Sequence, residues 1–443
     1  MSVPEIIYVI LLIAFFSFLV LKLTFFRLPG VKKQFVLLAL YLKIIAGFGL
    51  TFIYSNYYPD RKEADIFKYF DDSEIMYNAI KENPSEYFQM LFGYQNDNAY
   101  FDKTYYSVMN NWYREYETVT YNDSHTIIRI NAVFRLVSFG FFQVHNLFMI
   151  FLAFIGLTAL FRAFHNYFKE RPYELFFAVF LIPSVLFWSS GALKESLLLF
   201  GLGIFLYAIQ QITFIGFSVL RIFAALFGIF LLFYTKMYVL AVLIPVLAAN
   251  IWVIFSNNKR VLLKFLLSLF FWIDIAVIIG HFIPEYNVFA LLVGKQHDFI
   301  GLAIHEQAGS FIEPFELKAS FISFAYFAPM ALINTLFRPF FGDVSSPLLI
   351  LSLFENLALI LMIMLPVFFP LKGKKNMRII YFCFFFSILL FILLGLTTPV
   401  LGALVRYRIP ALPFFIMGLF MLTDTRRILS VFRKKQVKSN PNE

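Results

Sequence analysis

The chain has 443 residues, 60% of them hydrophobic and 14% charged, with a mean hydropathy of +0.77. A soluble domain carries about 45–50% apolar and about 25% charged residues, so a soluble enzyme, a secreted domain and a disordered scaffold are excluded, and lipid must cover much of the surface. The single cysteine, Cys383, excludes a disulfide framework or a thiolate metal site, and the net charge of +10 calls for no nucleic acid once its placement is read.

In chain order, apolar stretches of spanning length predict about eleven transmembrane helices, over 4–26, 34–54, 143–163, 173–190, 193–212, 217–235, 237–256, 262–283, 346–369, 379–398 and 409–423. The first stretch carries Glu5 instead of a basic start, lacks a small-residue cleavage site and is too long for a cleaved signal peptide. Alternate short loops collect lysine and arginine: Arg27 to Lys33, Arg162 to Arg171, Arg221, Lys259 to Lys264, Lys372 to Arg378, and the tail 424–443 from Arg426 to Lys438. Basic residues favour the cytoplasmic side. The excess therefore reads as orientation, with the N-terminus outside and the C-terminus inside.

Two long hydrophilic stretches, 55–142 and 284–345, then fall on the outer face of a single membrane domain spanning 1–443. The first holds 13 acidic and 6 basic residues between positions 56 and 126, and 12 of the 24 tyrosines; so aromatic a segment is expected to fold. Its end, 127–142, has apolar residues at helical spacing around Arg129 and Arg135 and predicts an interfacial amphipathic helix. In the second stretch, 319–341 is apolar but interrupted by Pro329 and Pro339, which predicts a pair of short re-entrant or interface-lying helices.

Lys43, Asp274 and Glu355 lie inside apolar stretches and are expected to face the bundle interior, paired with one another or lining a path. Other cations cluster where helices meet the outer face: Lys194 with Glu195 and Trp188 in Pro183–Glu195, Lys236 after Tyr234-Thr235, Arg338 before Pro339, and Arg406 with Arg408. Snorkelling would scatter such charges singly over both faces. Their gathering beside an acidic, aromatic loop suits a lipid phosphate or diphosphate headgroup.

The acidic stretch opens directly after a membrane helix. Transfer of a sugar from a polyprenyl phosphate needs a base for the acceptor hydroxyl and cations for the departing phosphate. A glycosidase instead needs two carboxylates flanking the bond. Asp65, with Tyr69 one turn on, is the first candidate base, followed by Asp72 and Asp71. The adjacent Asp71-Asp72 also matches a divalent cation such as Mg or Mn bound with phosphate oxygens. His125, His297 and His305 are too dispersed for a metal site.

At these residues the chain resembles a GT-C-type integral membrane glycosyltransferase. Asp65 and Tyr69 match the Asp and the Tyr four residues later in that family's acidic outer loop. Pro183–Glu195 resembles the Pro-x-x-x-Phe-Trp-Ser-Ser-Gly-x-x-Lys-Glu pattern of uncharacterised bacterial members, and Arg406 to Pro413 resembles Arg-Tyr-Arg-x-Pro-x-x-Pro near their last helix. One departure is that the acidic loop here follows the second helix, where members carry it after the first. The resemblance implies an all-α polytopic GT-C-like fold in a bacterial inner membrane, with its active site facing the periplasm. It implies transfer from a polyprenyl-phosphate sugar to a lipid-linked glycan, lipid or protein acceptor in cell-envelope polysaccharide biosynthesis. Asp65, Asp72 or Asp71 would act as base, and Arg406, Arg408, Lys194, Arg338 and Lys236 would hold the donor phosphate, supported by Tyr69, Glu195 and Trp188. The alternatives are an O-antigen or exopolysaccharide polymerase working on diphosphate-linked glycans, and a lipid or glycan flippase.

Overall fold

The computed structural model describes residues 1–57, 60–113, 122–305, 308–344 and 346–428. Tyr58, Pro59 and most of the basic tail, 429–443, lie outside the described residues. Among the described residues the fold is helical, with isolated β-bridges in place of strands. Among the described residues eight helices are long and apolar enough to cross a membrane, or nine if one bent pair is counted as a span, which makes this a multi-pass membrane protein. The chain divides into two units, Met1–Leu240 and Ala241–Glu443.

In the first unit the apolar helices are α1 (Val3–Lys22), α2 (Lys33–Tyr57), α7 (Phe142–Phe164) and α10 (Lys194–Ile215), and α11 (Val219–Phe255) begins. Between α2 and α7 lie α3 (Asp65–Glu82), α4 (Pro84–Phe92), α5 (Ala99–Thr104) and α6 (Ser124–Ser138). These four build a compact acidic module around Met76, Tyr87, Met90, Phe101, Trp112 and Ile128.

Small residues let the membrane helices approach closely, as is usual where lipid supplies no hydrophobic drive. A Cβ on Gly156 of α7 would strike the Leu199 carbonyl oxygen of α10, and one on Gly203 would strike that of Gly156. Further along, Arg162 Nε donates to Tyr207 Oη at 3.4 Å. Positions rise together in both helices, so α7 and α10 run parallel.

The link between them is not the single helix expected over 173–190. It consists of α8 (Pro172–Phe176), a π-helical turn to Leu181, extended Ile182 and α9 (Pro183–Trp188). Pro183 has no amide hydrogen and would clash with the carbonyl four residues back, so it ends one helix and starts the next.

The stretch 217–256 carries the two helices expected, joined as α11 across a kink at Lys236, where the backbone leaves helical geometry (φ −149°, ψ 76°). Around 127–142 the helix runs from Ser124 to Ser138, and Arg135 is not at a lipid surface. It is buried against α3, donating to the Ser73 hydroxyl at 2.8 Å and the Phe70 carbonyl at 2.7 Å. Val133, Leu136, Val137 and Phe139 form the exposed apolar side.

The second unit holds the rest of α11, then α12 (Val261–Phe282), α13 (Val288–His305), α14 (Phe321–Phe337), α15 (Pro347–Phe368), α16 (Met377–Thr397), α17 (Leu401–Tyr407) and α18 (Leu412–Leu422). The stretch 319–341 forms one helix with Pro329 inside it, not two short ones. It runs antiparallel to α16: Thr335 Oγ1 donates to the Phe391 carbonyl at 2.8 Å, while Ala331 touches Gly395. Its end carbonyl, Phe337, accepts from Asn356 Nδ2 at 3.0 Å in the middle of α15. At 17 residues and about 25 Å, α14 is at the short limit of a spanning helix. The last predicted span, 409–423, is the outgoing arm of the bent pair α17 and α18, which meet at 63°.

Candidate functional site

The site assembles at the N-terminus of α6, where the acidic module meets α10 and α11. Asp72, buried on α3, accepts from the amides of Asn110 at 2.7 Å and Asn111 at 2.8 Å. Burial raises its carboxyl to about 6, against the opposing pull of those two amides. Asn122 Nδ2 then donates to the carbonyls of Asn111 and Trp112, and the His125 ring stacks on Trp112 at 3.8 Å. Tyr106 covers the other face of Trp112 at 4.1 Å. This chain of contacts fixes Asp123.

Both oxygens of Asp123 are engaged by lysines. Lys194 Nζ lies 2.5 Å from Oδ1, and Lys236 Nζ lies 3.2 Å from Oδ2. Lys194 also donates to Ser124 Oγ at 3.0 Å, and its ammonium sits 5.2 Å from the Tyr69 ring. The side chains are 4% exposed for Lys194 and 10% for Lys236, against 24% for Asp123. Water therefore reaches the cluster through the carboxylate. Lys194 opens α10, where the helix dipole disfavours a cation, and Asp123 offsets that cost. The turn before it is equally anchored: Lys43 Nζ donates to Ser189 O at 2.9 Å and Oγ at 2.6 Å. Beside that turn, a Cβ on Gly47 would meet Ser190 O. Thr126 Oγ1 donates to the Tyr234 carbonyl at 2.9 Å, docking the module onto α11 just before Lys236.

The sequence candidates separate by location. Lys194, Lys236 and Tyr69 come together, and Asp65 starts α3 one turn before Tyr69, on the same helix face. Glu195 and Trp188 are buried in the anchored turn. Asp72 is spent on backbone amides, and Asp71 forms a bidentate pair with Arg61 at 2.9 Å. The two carboxylates diverge, so Asp71-Asp72 makes no cation site, and among the described residues no group of three or more His, Cys, Asp or Glu gathers around a metal position.

In the second unit Arg408 is fully buried, with Nη2 on Glu355 Oε1 at 3.0 Å and Asn356 Oδ1 at 2.7 Å, and Nη1 on the Thr335 carbonyl. Arg406 is buried beside the Tyr407 ring. Arg338 pairs with Asp343 at 2.6 Å and lines an open cleft of about 470 Å³ with Ser310, Glu313 and Leu401. Its guanidinium holds the Asp343 carboxyl below the usual carboxylate range.

The intramembrane charges do not pair with one another. Lys43 binds Ser189, Glu355 binds Arg408, and Asp274 is exposed. Sequence reasoning missed Asp123 as a site residue. Asn122-Asp123-Ser124 before an apolar helix reads as an ordinary helix start, and only the folded module shows its two lysines. Comparison with known proteins finds no matching family model, no matching curated protein and no matching solved structure.

Proposed function

We propose that the chain is a membrane glycosyltransferase that moves a sugar from a polyprenyl-phosphate donor to a lipid-linked glycan, lipid or protein. The observation that carries this reading is the pair of lysines sharing Asp123, Lys194 buried and Lys236 half-buried, with Tyr69 against Lys194 and Asp65 one helical turn before Tyr69 on α3. Lysine ammonium groups brought together in this way are the kind of donors that hold a departing phosphate.

In the proposed reaction the acceptor hydroxyl attacks the anomeric carbon and gives its proton to Asp65. The bond from that carbon to the phosphate oxygen breaks, and the polyprenyl phosphate leaves with the electron pair, held by Lys194 and Lys236. Asp123 sets the lysines in place, since both its oxygens are engaged. Arg408 is less suited to the donor, because a phosphate would have to displace Glu355 to reach it.

The same reading takes the chain through eleven crossings, with the module on the outer face of a bacterial inner membrane. Three features support it. Parallel α7 and α10 fit a chain that recrosses between them through α8 and α9. At 37 residues and about 55 Å, α11 exceeds the hydrocarbon core of about 30 Å, and its break at Lys236 divides it into two spans. The end of α18 returns beside the start of α16, where Leu371 N donates to the Leu422 carbonyl at 2.8 Å.

The test is transfer by purified protein in lipid, supplied with radiolabelled polyprenyl-phosphate sugars and a membrane lipid extract as acceptor. Wild type should transfer. Asp65→Asn should lose about 10²–10⁴-fold in rate, and Lys194→Met should raise the donor KM. Chain growth from a diphosphate-linked oligosaccharide alone, with no transfer from any monophosphate donor, would reject this reading in favour of a polymerase.

A further inference from the structure

Asp274 takes no part in the site above. It lies on α12, a 22-residue apolar helix whose buried positions are Phe265, Ser268 and Gly280. The opposite face, at three- and four-residue spacing, presents Phe270, Phe271, Asp274, Val277 and Ile278, all exposed. Asp274 sits eight residues before Phe282, the last residue of the helix, about 12 Å along its axis. That is well inside the apolar span. Among the described residues none hydrogen-bonds to it or forms an ion pair with it. Its neighbours along the stripe are hydrocarbon, except His281 two turns nearer the end.

We propose that this face of α12 docks a transmembrane helix of a different protein, one carrying a lysine or arginine at the depth of Asp274. Lipid tails satisfy the phenylalanines and aliphatic residues but not a carboxyl group. Even in its neutral form the group has a donor and an acceptor that hydrocarbon leaves unpaired, and intramembrane carboxylates as a rule face protein or water and find a partner.

A second copy of this chain does not supply that partner. Two copies share one orientation in the membrane, so a two-fold contact along this stripe would set Asp274 against Asp274. The cations this chain carries within its own helix packing are already engaged: Lys43 is buried on Ser189, and Arg408 is buried on Glu355. Charge complementarity therefore assigns the occupant to a basic membrane helix of another protein. The inference does not depend on the proposed sugar transfer.

The experiment uses the full chain in its native membrane, with a photo-reactive amino acid at Phe271 or Ile278, and at Phe223 of α11 as an exposed control. The expected result is an adduct from positions 271 and 278, absent at 223, whose peptide maps to an apolar segment containing a lysine or arginine. Asp274→Leu should cut its yield at least tenfold while leaving the unfolding midpoint of the purified chain unchanged. Asp274→Lys combined with the partner's basic residue changed to Asp should restore it. The proposal is overturned by adducts only to lipid, to a second copy or to a segment without a basic residue, and by undiminished yield in Asp274→Leu. Unfolding of Asp274→Leu would overturn it too, because the carboxylate would then serve this chain's own packing.

Discussion

Asp72 has no solvent exposure, and burial determines how it responds to pH. Its carboxyl is raised from 3.8 to about 6, so between these values the folded module holds a proton that the unfolded chain has released. Stability must then fall as pH rises through that window. At about 1.4 kcal/mol per pKa unit, the span is about 3 kcal/mol. Thermal unfolding of wild type should therefore weaken between pH 4 and pH 6.5. Asp72→Asn, which titrates no proton, should show a flatter profile over the same range. An identical slope in both proteins would assign the dependence elsewhere.

Arg408 and Glu355 form a second buried pair. Removing one partner strands the other charge, at a cost of about 3–5 kcal/mol. Glu355→Leu alone should destabilise by that amount, while Glu355→Leu with Arg408→Met should recover much of it. Denaturant unfolding of the purified chain measures both. At this scale the sequence was half legible. Apolar surroundings correctly sent Lys43 and Glu355 inward, but their partners, Ser189 and Arg408, lie 146 and 53 positions away. Nothing local encodes such a match, because it depends on how each helix is rotated about its axis. Asp274 breaks the inward rule because α12 buries so little of itself.

Helix positions were the most readable level, since twenty apolar residues carry their own signal. The expected 262–283 appears as Val261–Phe282, and 193–212 as Lys194–Ile215. Prolines made the exceptions, but not uniformly. Pro183 splits 173–190 into short pieces, whereas Pro329 sits inside α14 and leaves it one helix. Backbone contact between α7 and α10 is what aims Lys194 at the module. Gly203 has no room for a side chain, because its Cβ would strike the Gly156 carbonyl. Gly203→Ala should force the helices apart and cost about 1–3 kcal/mol, with loss of any activity that needs Lys194 in place. Gly49→Ala is the matched control: that position on α2 has open space around it and gains helix propensity. A lower melting temperature for Gly203→Ala and an unchanged or higher one for Gly49→Ala would identify the crossing as the cause.

At the scale of the whole molecule, the acidic module was legible as folded but not as built. Its tyrosine content announced a core, yet the packing that delivers Asp123 to two lysines depends on Asp72 holding amides 38 and 39 positions on. How the chain threads the membrane is then a question of parity. If α8 and α9 carry it across, three crossings separate the module from the loop at Ser218. If they do not, only α7 and α10 intervene, and both points share a side. Asn78 and Ser218 are exposed and suited to single-cysteine labelling, in a background where buried Cys383 is changed to Ala. Lys374 adds a check on the second unit, read once Ser218 is placed. An α14 that turns back at Asn356 leaves Lys374 opposite Asn78, whereas an α14 that crosses would put them together. An impermeant maleimide applied to intact cells should label Asn78→Cys and spare Ser218→Cys and Lys374→Cys until the membrane is opened. Labelling of Ser218→Cys from outside would remove the α8–α9 crossing and, with it, the eleven-span path. Labelling of Lys374→Cys from outside, with Ser218→Cys still spared, would make α14 a span.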